Sequence, residues 1–170
     1  MGRSEDDDVQ LDQILIGGRE RRAIEIVDYD PGWPLRFEAH RDRVRRALGD
    51  RALRVEHIGS TAVPGLAAKP IVDMLVAVAD PAEDSIEAAF VSAGYRLRVR
   101  EPGHRMFRTP KLDVHIHVWA AGDAEVGRHL RFRDRLRRSA PDRVAYEQLK
   151  RQLATRQWRD MNEYAAAKGR

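Results

Sequence analysis

Three side chains that can bind a metal ion or move a proton lie in two short apolar stretches of the sequence. His115 and His117 belong to LDVHIHVW, and Asp73 lies within IVDMLVAV. Because alternate residues of a strand point to opposite faces, both histidines would share one face with Asp113 and Trp119. Such a face can hold a divalent cation, stand over an anionic ligand, or simply meet solvent.

The position of Asp73 is unusual, because a carboxylate inside an apolar strand is costly unless it is paired, hydrogen-bonded or bound to a metal. In a strand it would face the same side as Ile71 and Leu75. Either the strand opens into a cleft at this point, or Asp73 forms a structural ion pair with Lys69 or a nearby arginine. We favour a functional role for Asp73.

The stretch HIGSTAVPGLAAKP, which precedes this strand, consists almost entirely of small residues. Gly59 and Gly65 permit positive φ angles and a close approach of ligand to backbone. Ser60 and Thr61 offer hydroxyl and amide groups to phosphate oxygens, and Lys69 adds a positive charge. The spacing does not match a P-loop, a nucleophile elbow or a dinucleotide-binding turn. The stretch could be an ordinary connection, but loops of this length are uncommon without a function.

Two arginines outside the loop are further candidates for binding phosphate, since guanidinium groups bind phosphates bidentately. They are Arg105, in HRMFRT, and Arg131, in HLRFRDRLRR. Residues 128–159 contain eleven Lys or Arg and three acids, a net charge of +8, which is compatible with polyanion binding. We expect most of these arginines to be surface charge. Nucleic acid is not favoured as a partner, because few aromatic side chains are available for stacking in this region: Phe132, Tyr146 and Trp158.

The elements that must position these residues follow from hydrophobic periodicity. The sequence predicts strands and helices in the order βαββαβββααα. The first strand would be AIEIVDYD at 23–30, and the first helix, near 33–48, would bury one stripe containing Leu35, Phe37, Val44 and Leu48. This order predicts an α/β (α+β) fold, with a mixed, largely antiparallel sheet covered by helices.

Length and composition limit the class of protein. A chain of 170 residues is expected to form a single domain, here over residues 21–170, after a flexible acidic lead-in over residues 1–20. With no cysteine it has no disulfides and no thiolate metal site. We find no secretory signal and no apolar run near the roughly 20 residues that a membrane span requires, so we expect a cytoplasmic protein. The sequence does not indicate an oligomeric state.

Several stretches taken together resemble the GrpB-like family, in the same order and from about Ile24 to Lys168. They are YDPGWPLRFE, VEHIGSTAVPGLAAKPIVDM, HIHV and HLRFRDRLR…YEQLKRQLA…NEYAAAK. That family resembles the nucleotidyltransferase (polymerase-β-like) superfamily. The resemblance implies a Gly-Ser loop for nucleotide phosphates and carboxylates on neighbouring strands that hold Mg²⁺. Family members also occur fused to dephospho-coenzyme A kinase, where the domain would assist folding.

Carried onto this chain, Gly59 and Ser60 match the Gly-Ser element, and Asp73 matches the first acid of the D-x-[DE] pair. The second acid would fall at Leu75, which cannot bind Mg²⁺. A later strand offers DVHIHV in place of a third acid. The resemblance therefore implies either a site with one metal, which could be Mg²⁺, Mn²⁺ or Zn²⁺, or a site that has lost this chemistry.

We therefore predict a pocket for a nucleotide or another phosphate-bearing small molecule, with nucleotidyl or phosphoryl transfer to a small acceptor as its reaction. The alternative is a non-catalytic ligand-binding or folding-assistance module. The predicted phosphate ligands are Gly59, Ser60, Thr61, Lys69, Arg105 and Arg131. The predicted metal ligands and catalytic groups are Asp73, His115 and His117, with Glu56 and His57 as supporting groups at the mouth of the loop.

Overall fold

A computed structural model describes residues 4–169 of the chain. These residues form a five-stranded sheet and six α-helices, which confirms the predicted fold class. The strands are β1 (Arg54–Ile58), β2 (Val72–Val78), β3 (Arg96–Glu101), β4 (His104–Arg108) and β5 (Val114–Ala120). The helices are α1 (Glu5–Ile14), α2 (Gly32–Leu48), α3 (Asp84–Ser92), α4 (Ala124–Arg138), α5 (Ala140–Ala154) and α6 (Met161–Lys168).

The strands lie in the order β1-β2-β5-β4-β3, and all neighbours are antiparallel except β2 and β5, which run parallel. Parallel neighbours need a long crossover, and here α3, β3 and β4 supply it. The parallel pair matters for function because it aligns Asp73 with His115 and Leu75 with His117. Residues paired in register face the same side of a sheet, so all four side chains share one face.

The other face of the sheet carries the main hydrophobic core. Alternate residues of β2 and β5, such as Val72, Val76 and Ile116, are fully buried against α2 and α3. Trp33 and Phe90 are the large side chains with which these helices fill the space. The face that holds Asp73 has only smaller apolar clusters and opens into a cleft bounded by α4, α5, α6 and α1.

One predicted strand was wrong. Residues 23–30 form a single bridge in which Val27 and Ala68 exchange backbone hydrogen bonds of 2.9 and 3.0 Å. On one side, the next hydrogen-bonded pair would join Glu25 to Pro70, and proline has no N–H to donate. On the other side, the amide of Leu66 donates to the carbonyl of Val63 at 3.2 Å and is not available to pair with Tyr29, so the ladder does not extend.

The buried stripe of the first helix was partly wrong. Leu35 is 67% exposed, whereas Trp33, Val44 and Leu48 are buried and Phe37 is packed against the core. Residues 33 and 35 are two positions apart, about 200° around a helix, so burial of Trp33 turns Leu35 toward solvent.

The predicted lead-in contains helix α1, and residues 1–3 of it lie outside the described residues. Ser4 and Asp7 form a capping box that begins α1, and Leu15 is buried beside β3. The flexibility of the lead-in stays a prediction. None of the described helices is both long and apolar enough to cross a membrane.

Candidate functional site

Asp73 lies at the beginning of β2, on the floor of the cleft, with two imidazoles beside it. Its Oδ1 is 3.6 Å from His117 Nε2 and 3.8 Å from His115 Nδ1. Burial alone would raise the pKa of Asp73, but the nearby imidazoles of His117 and His115 favour the ionised carboxylate and hold that pKa well below its usual range. The carboxylate is therefore ionised at neutral pH.

The small-residue loop passes directly over this carboxylate. Gly59 has a φ of +71°, and a Cβ at this position would lie 3.0 Å from Asp73 Oδ2. Glycine is required here because the backbone is left-handed and any side chain would push against the carboxylate. Side chains from two helices hold the loop: Arg137 of α4 donates to the carbonyl of Ala62 at 2.9 Å, and Glu147 of α5 accepts from the amide of Ala67 at 3.2 Å.

Asp73, His115 and His117 do come together as predicted, but they do not form a metal site by geometry. Within residues 4–169 no group of three His, Asp or Glu side chains has an arrangement that could hold a metal ion. Leu75, which occupies the position of the second acid, is fully buried in an apolar cluster with Ile58, Val126 and Leu130. The residues present do not fit a two-metal centre, and the divalent metal stays a prediction.

The histidines that line one side of the cleft contact one another and their neighbours through hydrogen bonds and ring stacking. His104 Nδ1 lies 2.6 Å from Glu101 Oε1, and His104 Nε2 lies 3.2 Å from His117 Nδ1. The ring of His104 also stacks on Trp119, with centroids 4.0 Å apart. His129 of α4 has its ring 5.9 Å from that of His117. We call His104, His117 and His129 the histidine cluster.

Burial keeps most of these imidazoles neutral. It lowers the pKa of His104 to about 3 and the pKa values of His129 and His115 to about 4. The Nε2 atom of His115 is buried and has no hydrogen-bond partner within the described chain. A buried polar atom without a partner indicates a place where a ligand or water completes the structure.

Opposite the histidine cluster lie three lysines, two of which were not predicted. Lys150 of α5 is 2% exposed, and its Nζ donates to Ser60 Oγ at 3.0 Å and to the carbonyl of Ala67. Burial, together with the charge of Lys168, lowers the pKa of Lys150 to about 7. Lys69, Lys150 and Lys168 form what we call the lysine cluster.

The other two lysines meet at one aromatic ring. The Nζ atoms of Lys69 and Lys168 lie 5.0 and 5.1 Å from the ring centroid of Tyr164 in α6. Burial and the charge of Lys168 lower the pKa of Lys69 to about 8. The hydroxyl of Tyr164 is buried and has no partner among residues 4–169. In the same part of the chain, the lysine cluster forms no ion pair with a carboxylate.

One signal in the sequence could have identified these lysines. The chain has 31 Lys and Arg residues, of which only four are lysine. Three of the four lysines belong to the cluster. Where a chain uses arginine almost everywhere else, a lysine marks a position that needs a compact ammonium group or one able to lose its proton.

Two predicted phosphate ligands are not brought to the cleft. Arg105 pairs with Val118, so it faces the opposite side of the sheet from His104, and its guanidinium donates to the carbonyls of Glu101 and His104. Arg131 is exposed on the outer surface of α4, beside Arg135 and Arg138. Strand alternation and the rotation of α4 about its axis account for both positions.

The remaining predicted residues surround the loop. Glu56 pairs with Arg133 of α4 at 2.7 Å. His57 faces the main core, where it stacks on Phe37 with centroids 4.9 Å apart, and its Nε2 lies 2.9 Å from the hydroxyl of Thr61. Glu56 thus links the strand before the loop to α4, and His57 contacts the loop from the side of the main core. The hydroxyl of Thr61 is hydrogen-bonded to His57 and is therefore less available to a ligand.

The cleft as a whole has a volume of about 2160 Å³, room enough for a nucleotide-sized ligand. Ser60, Asp73, His115, His117, Lys69, Lys150 and Lys168 all line it. The backbone amides of Ser60 and Thr61 donate to no other group in the described chain. One side therefore offers hydrogen-bond donors and positive charge, and the other offers neutral imidazoles around one carboxylate.

Comparison with known proteins shows which family the chain resembles over most of its length. The family model for "GrpB protein" matches residues 23–170. A UPF0157 protein of Streptomyces coelicolor is 54% identical over 155 residues, which cover 91% of this chain and 83% of that protein. The crystal structure of a conserved protein, GrpB, from Enterococcus faecalis is 34% identical and matches with a TM-score of 0.75, over 85% of this chain and 93% of that one.

A shorter match connects this chain to an enzyme. A dephospho-CoA kinase of Mycolicibacterium paratuberculosis is 39% identical over 79 residues. The match covers 44% of this chain and 19% of the kinase. The similarity is therefore to a small part of that larger protein.

Proposed function

Since this chain belongs to the GrpB family, we propose that the family framework here carries a binding site for a phosphate-bearing small molecule, in the first place a nucleotide. The phosphates would lie between the loop at Ser60 and the lysine cluster. The observation that carries the proposal is the convergence on one cleft of three lysines that form no ion pair with a carboxylate in the described part of the chain.

Physical chemistry supports an anionic ligand at this place. Removing an ammonium group from water is costly unless an opposite charge compensates, and without one the group loses its proton. The lowered pKa values of Lys69 and Lys150 reflect this cost. A phosphate would restore their charge and accept hydrogen bonds from both lysines. The unpartnered hydroxyl of Tyr164 and amides of Ser60 and Thr61 would supply further donors.

The reaction we propose for the site is nucleotidyl or phosphoryl transfer to a small acceptor. Asp73 is ionised and its Oδ1 lies 3.6 Å from His117 Nε2, so His117 is the group placed to take a proton from an acceptor hydroxyl, and the Asp73 carboxylate would orient and stabilise the imidazolium that forms. Incubation with each nucleoside triphosphate and analysis of products by mass spectrometry tests this step. No nucleotide-derived product from any of them, with Mg²⁺ or Mn²⁺ present, would leave binding as the function.

The binding proposal itself is tested by calorimetric titration with inorganic phosphate and with ATP. We expect wild-type protein to bind both ligands, and Lys150→Met to bind at least about tenfold more weakly, because a charge-assisted hydrogen bond is worth about 1.5–3 kcal/mol. Arg131→Gln is the matched control, since it removes an exposed cation that lies outside the cleft. Equal losses in the two variants would show that only general surface charge attracts the ligand.

A second candidate function is a non-catalytic module that binds a ligand or assists folding. The specific observation in its favour is the 79-residue similarity to a dephospho-CoA kinase. Burial of Leu75 where a second acid is expected also supports it. The test is the refolding yield of a denatured dephospho-CoA kinase with and without this protein. An increase that survives Asp73→Asn, with no product from any nucleotide, would support the second candidate over the first.

A further inference from the structure

Ser60 and Lys150 form a pair whose geometry goes beyond holding a ligand. Ser60 directly follows Gly59 at the end of β1, so its hydroxyl lies where the strand turns into the loop. Lys150 reaches it from α5, with Nζ 3.0 Å from Oγ. Ser60 is only partly buried and lines the cleft. A nucleophile needs such a position, in contact with a base on one side and open to ligand on the other.

The surroundings of Lys150 suit a base. Its ammonium is buried and forms no ion pair in the described chain. It donates a hydrogen bond to the carbonyl of Ala67 and lies 5.0 Å from the ring centroid of Tyr146. These contacts orient Nζ toward Ser60. Burial lowers the pKa of Lys150 to about 7, so a large fraction of the side chain is neutral at physiological pH and can accept a proton.

We propose that Ser60 is a nucleophile activated by Lys150, and that it accepts a phosphoryl group from the phosphate-bearing ligand of the cleft. In the step, Ser60 Oγ forms a bond to phosphorus and the bond from phosphorus to the leaving oxygen breaks. The hydroxyl proton passes to Lys150 Nζ and from there to the leaving oxygen. The acceptor hydroxyl oxygen then bonds to phosphorus as the bond from phosphorus to Ser60 Oγ breaks, and the acceptor's proton passes by way of Lys150 Nζ to Oγ, which regenerates the Ser60 hydroxyl. The inference rests on the proposed function, because Lys69 and Lys168 must first bind the phosphate. Only the fraction of the complex in which Lys150 is unprotonated would react.

The competing explanation is that Lys150 only ties the loop to α5. A purely structural lysine needs its charge and its hydrogen-bond donors but no lone pair. Lys150→Arg keeps charge and donors and cannot serve as a base at neutral pH. Lys150→Gln keeps a donor, is shorter and uncharged, and likewise cannot accept the proton. The two variants therefore separate tethering from proton transfer.

The test is labelling with diisopropyl fluorophosphate, in which an activated serine attacks phosphorus and fluoride leaves. We expect mass spectrometry to find the adduct on Ser60 and to find none in Ser60→Ala. Labelling of Lys150→Arg and Lys150→Gln should be at least about tenfold slower. Ser85, whose hydroxyl hydrogen-bonds Glu83 on the surface, is the internal reference for an ordinary serine.

Two results would overturn the inference. One is labelling of Ser60 no faster than that of Ser85, and the other is unchanged labelling of Ser60 in both Lys150 variants. Thermal melts verify that each variant is folded. If only one of the two Lys150 variants folds, its labelling rate alone decides the test. Calorimetry of wild-type protein with inorganic phosphate, run in parallel, separates the two proposals. Phosphate binding without labelling removes the nucleophile alone, and absence of phosphate binding removes the proposed function.

Discussion

The two sides of the cleft differ in how their charges are satisfied. In the histidine cluster, His104 has partners on both ring nitrogens, and burial keeps it neutral. In the lysine cluster, Lys69 and Lys150 carry lowered pKa values, and neither forms an ion pair with a carboxylate among residues 4–169. A site that is complete without a ligand contributes to stability, and one that is incomplete is built to receive something. We therefore assign ligand binding to the lysines and much of the structural role to the histidines.

The largest expected change in the free energy of unfolding is at Leu75, which lies beside His117 in the sheet and is buried in an apolar cluster. Leu75→Asp would place a carboxylate in the cluster of Ile58, Val126 and Leu130, and we expect a loss of about 3–5 kcal/mol in the free energy of unfolding. Urea denaturation measures this loss. Leu75→Met, the control, conserves volume and should cost less than about 1.5 kcal/mol. A stable Leu75→Asp protein that gained Mn²⁺ binding would show that the missing acid is all that separates this site from a metal centre.

Removal of His104 would test the structural role of the histidine cluster. His104→Leu leaves Glu101 and His117 Nδ1 without their partner, so we expect the free energy of unfolding to fall by about 1–3 kcal/mol. Phosphate affinity, measured by calorimetry, should change less than about twofold. A large loss of affinity with unchanged stability would reverse our assignment of the two sides.

The pH dependence of anion binding would probe the lysine cluster. Sulfate is a suitable ligand because it does not titrate between pH 6 and 9. Anion binding requires protonated lysines, so affinity should fall as pH rises through the pKa values of Lys150, about 7, and Lys69, about 8. We expect at least about a tenfold loss between pH 6 and 9, equivalent to about one pKa unit of coupling. Affinity that is flat over this range would contradict a role for these two lysines.

The free energy of unfolding of the unliganded protein should respond to pH differently. For His104 and His129 the folded pKa lies below the unfolded value of about 6.5, so the unfolded chain binds more protons and stability falls as pH drops from 6.5 toward 4. For Lys69 and Lys150 the folded pKa values, about 8 and about 7, lie below the unfolded value of about 10.5. Between these values the unfolded chain again binds more protons than the folded protein. Stability should therefore rise from pH 7 toward 10, as chemical denaturation at each pH would measure, while anion affinity falls.

The smallest effect is expected for Arg105, which lies on the opposite face of the sheet. Arg105→Gln should leave phosphate affinity within about twofold and the free energy of unfolding within about 1.5 kcal/mol, because only hydrogen bonds to two backbone carbonyls are lost. Titration calorimetry and a thermal melt check both values. A tenfold loss of affinity would mean that the ligand extends around the edge of the sheet.

The sequence predicted the parts of the site that depend on local pattern. Strand alternation brought His115 and His117 to one face, and the cost of burying Asp73 indicated a cleft. Small residues marked the loop at Gly59 and Ser60. Each of these inferences used residues within a few positions of one another, where strand geometry determines which way a side chain points.

The parts that the sequence did not predict depend on long-range packing. Lys150 meets Ser60 across 90 residues, and no local pattern records how α5 crosses the sheet. Arg131 was chosen for its chemistry, and the rotation of α4 then turned it outward. For Arg105, strict alternation from His104 would have corrected the prediction, because neighbouring strand residues face opposite sides.

The parallel pairing of β2 with β5 also determines when the site can exist. Asp73 cannot contact His115 until β5 has paired with β2, and α3, β3 and β4 lie between these two strands in the sequence. Lys150 and Lys168 join the site only when α5 and α6 have packed. During synthesis, which proceeds from the N-terminus, Ser60 therefore lacks its contact with Lys150 until about 90 more residues have been made. A ligand of this cleft would therefore bind only the finished domain, and by mass action its binding would stabilise the packing of the last helices against the sheet.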